Sequence, residues 1–249
     1  MKTKLLLAVG CACVLAVGTA AQKKVKAWTE WTAKDAQKIL DDSPWGQTQS
    51  VQDTSEMFYK PTTAQATTTV TGSSRGGPPP AGGNNRAENG AVNQATGVRY
   101  RIRWLSSRPI RQALARQIML KGGQFNEQLR GFAENQESRV VVGVWYEFDD
   151  QRYGGPVMQA FNSATTETLK NTAYLERKDG KRIFVQAYVP AQQNPFGAAI
   201  FIFPRTLDGQ PLLTPDMGDV RFVAEFNRDL KLNMKYKVAD MIYEGQLEY

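Results

Sequence analysis

The chain has 249 residues, a formal net charge of +7, no histidine and only two cysteines, Cys11 and Cys13. These facts exclude a Ser-His-Asp triad, a Cys-His nucleophile pair and any zinc or haem site built on histidine. A metal would need oxygen ligands alone, and no metal site and no cofactor are expected.

The N-terminus reads Met1-Lys2-Thr3-Lys4, then an apolar run over residues 5–17, then Gly18-Thr19-Ala20-Ala21-Gln22. A positive start, a short apolar stretch and a small-residue exit form the layout of a cleavable secretory signal, here residues 1–21. The run is shorter than the ~20 residues that span a bilayer. No later segment matches it, so no transmembrane helix is expected. Val9-Gly10-Cys11 also fits a lipoprotein processing site, but cleavage there would leave the greasy residues 12–17 on the mature protein. Both cysteines fall within the leader. Export would permit disulfides, yet the mature chain could form none and must rely on a packed core. The expected location is the periplasm or the cell exterior.

Of the 31 lysines and arginines, Lys2 and Lys4 lie in the leader, so the mature chain keeps a mild excess over its 24 acids. That balance suits solubility. An exported protein meets lipid headgroups and acidic glycans rather than nucleic acid.

Past the leader, Trp31-Thr32-Ala33-Lys34-Asp35-Ala36 opens a helix. Thr32 is the expected N-cap, Asp35 the capping-box partner, and Trp31 with Ala36 a hydrophobic staple. Ala36, Ile39 and Leu40 form one apolar stripe, and Pro44 ends the helix. Residues 22–47 therefore read as a helical arm docking on the core. Residues 50–59 have strand character. Residues 62–71 hold six threonines, and a Gly- and Pro-rich run follows at residues 76–83. Such composition cannot bury enough apolar surface to offset ordering entropy. Residues 48–97 are read as a linker, largely disordered over 61–96.

Residues 98–104 alternate. Val98, Tyr100, Ile102 and Trp104 oppose Arg99, Arg101 and Arg103, which predicts a half-buried strand. Ser107 and Pro109 then open a helix with Ile110, Leu114 and Ile118 on its apolar face. Gly122-Gly123 break it, and Phe125, Leu129 and Phe132 mark a second helix. Residues 140–148 are apolar on both faces at first, as in a central strand. Gly154-Gly155-Pro156 reads as a turn, and Met158, Phe161, Thr165 and Leu169 as a third helix. Residues 173–178 and 181–189 flank Asp179-Gly180, a hairpin signal. Residues 198–203 are a further strand, 205–218 a loop, and 220–226 with 230–238 a second hairpin. Residues 241–249 end the chain as a last strand.

Helices in the first half and hairpins in the second predict an α+β core over residues 98–249: a mainly antiparallel sheet of about six to eight strands packed with three or four helices. The alternation of Tyr243, Gly245, Leu247 and Tyr249 resembles the closing strand of outer-membrane barrels. The helix-periodic segments argue against that architecture.

Three constellations are candidate sites. Trp28, Trp31 and Trp45 serve either as docking anchors for the arm or as an aromatic glycan surface. Arg99, Arg101, Arg103 and Arg108 are candidate anion ligands, or they are a solvated face neutralised by acids such as Asp41 and Asp42. Glu147 and Asp149 alternate at a strand end, so their carboxyl groups share a face. Such a pair could run glycoside hydrolysis.

No phosphate loop, G-x-S-x-G or S-x-x-K motif occurs. The functional expectation is an exported, non-catalytic protein that binds a partner protein, a glycan or the envelope surface, with no nucleic-acid partner. The alternative is a carboxylate-dependent glycan hydrolase. The sequence leaves the oligomeric state open.

Overall fold

The computed structural model describes residues 26–53, 96–149 and 154–249. The expected leader lies outside them. So does the Thr-, Gly- and Pro-rich stretch, except for Thr96, which belongs to a strand. In chain order the elements begin with a 3-10 turn (Trp28–Glu30), α1 (Ala33–Asp41), β1 (Gly46–Asp53), β2 (Thr96–Trp104), α2 (Arg108–Leu120), α3 (Glu127–Glu134) and β3 (Arg139–Phe148). There follow α4 (Gly154–Ser163), α5 (Thr166–Leu169), β4 (Ala173–Arg177), β5 (Arg182–Phe184), β6 (Ala187–Val189) and β7 (Ala199–Pro204). The chain closes with β8 (Thr206–Leu207), β9 (Gln210–Pro211), β10 (Asp219–Glu225), β11 (Lys231–Lys237), β12 (Ile242–Tyr243) and β13 (Gln246–Leu247).

The fold is α+β and every strand pair is antiparallel. The strands divide between two main sheets, ordered β1-β2-β3-β7-β6 and β11-β10-β4-β5, with two small hairpins besides. Register places Tyr100, Ile102 and Trp104 of β2, Val142 and Val144 of β3 and Phe201 of β7 on one face. That face meets the second sheet. Phe201 and Phe203 both touch Phe222, at 5.1 and 6.3 Å between ring centroids, and Trp104 meets Tyr236 edge-on at 5.5 Å. All five rings are fully buried. Each such side chain contributes about 1.5–3 kcal/mol, and no cysteine lies among the described residues, so packing of this kind holds the two sheets together.

The chain changes sheets within one step. The sequence predicts a single strand over residues 181–189. In the structure the Val185 amide donates to Ala173 in the second sheet, and the next amide, Gln186, donates to Ile202 in the first. The expected strand is thereby split into β5 and β6. The expected third helix is split as well. Pro156 sits near the start of α4, where its missing N–H costs nothing, so the predicted turn is helical. The helix stops before Thr165. The Thr165 hydroxyl accepts from the Thr168 amide at 3.2 Å and caps α5. Phe161 of α4 fills the end of the sandwich, against Tyr146 at 4.7 Å and Phe226 at 4.3 Å.

The arm folds inward. Thr32 accepts from the Asp35 amide at 3.1 Å and its own amide donates to the Asp35 carboxylate at 3.0 Å, a complete capping box. Ala36 and Leu40 are fully buried, while Ile39 is half-buried. α1 packs on α2, and α2 on α3. Phe125 lies ahead of α3 rather than on it, because Asn126 caps that helix by accepting from the Leu129 amide. β1 starts at Gly46, within the residues 22–47 read as the arm, and pairs with β2 as far as Asp53, so residues 48–53 of the expected linker are strand. At the C-terminus, Glu244 and Gly245 both have positive φ, 49° and 79°, and make a tight hairpin turn between β12 and β13. That turn interrupts the alternation on which the barrel resemblance rested. No helix among the described residues is long and apolar enough to cross a membrane.

Candidate functional site

Arg99, Arg101 and Arg103 step along β2 on the face turned away from the second sheet. Each meets an acid. Arg99 reaches Asp149 at 3.0 Å and Glu147 at 3.9 Å. Arg101 donates to Glu147 at 2.8 Å and also to Asp41. Arg103 donates to the other Asp41 oxygen at 2.7 Å and to the Leu40 carbonyl at 3.0 Å, with its guanidinium 4.5 Å from the Trp145 ring. Asp41 sits at the C-terminal end of α1, where a negative charge opposes the helix dipole. The two arginines offset that. Burial alone would raise the Asp41 carboxyl, but hydrogen bonds from Arg103, Gln37 and Arg101 hold it below its ordinary value. Burial pulls the Arg103 guanidinium down against the opposing pull of Asp41. Asp42, the other acid considered as a partner, is exposed. Arg108 stands apart, against Glu244 at 3.1 Å, Glu248 at 3.3 Å and the face of Tyr243.

Glu147 and Asp149 therefore lie on one exposed face, each already accepting from arginine. Neither lines any of the three clefts described below.

The tryptophans are buried, at 8%, 7% and 7% exposure for Trp28, Trp31 and Trp45. Trp28 meets Phe125 edge-on at 5.8 Å. The Trp31 indole donates to the Lys26 carbonyl at 3.2 Å, and its own carbonyl accepts from Arg116 at 2.6 Å. The Trp45 indole donates to the Glu248 carbonyl at 2.8 Å and meets Tyr243 edge-on at 6.0 Å. None offers an open ring face on which a sugar could stack. Each ties the arm to something distant in sequence.

The described residues also form concavities. An open cleft of about 780 Å³ lies between the α1–β1 corner and the second sheet, lined by Asp41, Asp42, Gln47, Thr48, Lys237 and Asp240 among others. It shares Asp219 and Lys235 with a neighbouring cup of about 420 Å³, whose other walls are Glu176, Arg177, Lys178, Gly180 and Arg221. A third, apolar cleft of about 260 Å³ lies beside Leu105, Phe132, Val141, Phe196 and Ile200. Arg111 stands in its wall, donating to the carbonyls of Phe132 at 2.9 Å, Asn135 at 2.5 Å and Ser106.

No family model, curated protein or solved structure matches this chain. Its chemistry must therefore be read from its own side chains. Among the described residues no group of three or more acids could hold a metal ion. Two of the clefts have hydrogen-bonding and charged walls, and the third is mainly apolar.

Sequence reasoning missed the cup. Lys231, Lys235 and Lys237 stand on the exposed side of β11. Arg221 joins them only through the β10–β11 pairing, and Glu176 and Arg182 only through β4 and β5. No local motif announces that neighbourhood.

Proposed function

We propose that this chain is exported and acts without catalysis, by holding a glycan or protein of the cell envelope or its surroundings. The export half rests on the residue pattern of positions 1–22. The non-catalytic half rests on one observation: Glu147 and Asp149 are both engaged by Arg99, and Glu147 by Arg101 as well. A glycosidase needs one carboxyl group free to give its proton and another free to activate water or attack the sugar. A pair already committed to guanidinium groups on an open sheet face is poorly placed for either task. The clefts nearby suit retention of a ligand.

The test uses the chain from Gln22 onward, mixed with isolated cell envelope and sedimented. The expected result is co-sedimentation without release of soluble reducing sugar. Sugar release that disappears in Glu147→Gln would establish the hydrolase in its place. Fractionation of cells making the whole chain tests export, the expected product having Gln22 as its first residue and lying outside the cytoplasm.

A further inference from the structure

We infer that the ligand is a polysaccharide carrying acidic groups, held on the outer face of the second sheet with its anion in the cup of Arg177, Lys178, Arg221 and Lys235. This rests on the binding reading above and names the ligand class.

The argument begins with charge. The arginines that the sequence singles out on β2 are neutralised by Asp41, Glu147 and Asp149. The cup differs. It has four cations against two carboxylates, Glu176 and Asp219. Glu176 is bound to Arg182 at 2.9 Å, outside the cup's walls, and Asp219 to Lys235 at 3.3 Å. Arg177 pairs with Asp179 at 2.5 Å. Among the described residues, neither Lys178 nor Arg221 makes an ion pair, and both are exposed. Two uncompensated cations thus share one concavity. Field lines from like charges in a concave wall add up and raise the local concentration of anions.

The cup is also shaped for the purpose. Gly218 has φ +79°, and a Cβ there would lie 2.7 Å from the Lys178 side chain. The missing side chain makes room for the stem of Lys178, itself part of the cup's wall, to lie across Gly218. Arg221 is fixed in register between Lys235 on β11 and Glu176 on β4. A planar guanidinium at that position can meet a carboxylate or sulfate through two parallel N–H bonds.

The neighbouring cleft decides between an isolated anion and a sugar chain. It opens from the cup through the shared Asp219 and Lys235, and brings Asp42, Gln47 and Thr48, with Asp240 already paired to Lys237 at 3.0 Å. Carboxylates and amides of this kind accept from and donate to sugar hydroxyls. An anion-seeking cup joined to a hydroxyl-seeking cleft matches a chain that alternates acidic groups with hydroxyls. An anionic lipid surface presents negative charge over its whole area and would be set against the acids of this cleft as well as the cup, whereas a single sugar strand can place its anion in the cup alone.

The test measures binding of the chain from Gln22 onward to polygalacturonate, dextran sulfate and uncharged dextran, and to vesicles of phosphatidylglycerol with phosphatidylcholine, at low and raised salt. Expected is binding to an acidic polysaccharide that weakens as salt rises, with uncharged dextran bound at least tenfold more weakly. Lys178→Ala combined with Arg221→Ala is expected to lower affinity about tenfold, and the surface pair Lys121→Ala with Lys170→Ala to leave it unchanged. A folded double variant that binds like the parent overturns the site. So does tighter binding to the acidic vesicles, equal binding to uncharged dextran, or no binding to any acidic probe. If any of these occurs while the protein still sediments with envelope, the binding role survives without this site. Release of sugar from the envelope would instead remove the role itself.

Discussion

The Gln49 side chain stands in for a strand between the two sheets: its Oε1 accepts from the Asn233 amide at 2.8 Å, and its Nε2 donates to the Lys231 carbonyl at 3.0 Å. β1 and β11 are the edges of different sheets, and an unpaired edge invites pairing with another chain. One side-chain amide here satisfies the outward backbone groups of β11 at that point. It needs both a donor and an acceptor to do so. Gln49→Ala is expected to cost about 1 kcal/mol, the net worth of such bonds at a partly solvated place. Gln49→Glu should cost more, because a carboxylate would face the Lys231 carbonyl. Urea titrations with an unchanged m-value check both. Equal midpoints for the parent and Gln49→Ala would show that the bridge stabilises nothing.

Asp41 is the junction between the arm and β2, and its pH dependence has a definite sign. The folded carboxyl is held below its ordinary value of 3.8. Stability from this group is therefore complete above about pH 4 and is lost as the pH falls through the lowered folded value. Arg101, Arg103 and Gln37 are its direct partners, and Glu147 is the other acid on Arg101. Asp41→Asn should cost about 3 kcal/mol at neutral pH, since it leaves the nearly buried Arg103 with an uncompensated charge. It should also flatten the steepest part of the acid limb below pH 4. Thermal unfolding from pH 2.5 to 7 reads both effects. An acid limb as steep in Asp41→Asn as in the parent would assign that dependence to other groups.

How much of this was legible beforehand follows the range of the interactions. The Thr32–Asp35 cap, the alternation of β2 and the Asp179-Gly180 turn are set by neighbours in sequence, and residue spacing reveals them. The division into two sheets is set by which hairpin stacks on which. Phe201 and Phe222 carry no local sign that they will face each other. The split at Val185 and Gln186 is hidden for the same reason, because both sides of the break favour extended backbone. The arginines of β2 could be named as a group, and Asp41 suspected as a partner. The cations Lys178 and Arg221 could not, since they meet only through the β4–β10 pairing and the bond from the Lys178 amide to the Asp219 carbonyl just past the end of β4.

Gly46, the first residue of β1, lies tight against the backbone of α1. A Cβ at this position would lie 2.2 Å from the Leu40 carbonyl oxygen. That oxygen cannot withdraw cheaply, because it accepts from Arg103. Gly46→Ala must therefore move α1, Arg103 or both, at a cost of about 3 kcal/mol. Gly180→Ala is the contrasting case. Its site is open and only its φ of +81° is unfavourable, so about 1 kcal/mol is expected. Comparing the two unfolding midpoints separates a close approach from a strained turn. A smaller loss at Gly46 than at Gly180 would contradict the tight contact.

The last nine residues have little sheet of their own, and Trp45 is one of the groups that hold them. β12 and β13 are two residues each, too short to persist as an isolated hairpin. Around them the Trp45 indole donates to Glu248, Arg205 donates to the Tyr249 carbonyl at 2.7 Å, and the Tyr243 hydroxyl donates to Gln112 at 2.7 Å. Burial pushes the Tyr243 hydroxyl up to about 12, so it stays a donor at neutral pH. Trp45→Phe keeps most of the packing and drops one hydrogen bond, at about 1 kcal/mol. Trp45→Ala removes both, at about 3–5 kcal/mol. Because these contacts converge on one segment, the loss should be local before it is global. Hydrogen exchange in residues 241–249 of Trp45→Ala should rise well ahead of exchange in β3, and carboxypeptidase should trim the chain there. Exchange that rises equally in both places would mean that Trp45 supports the whole core rather than the C-terminal hairpin.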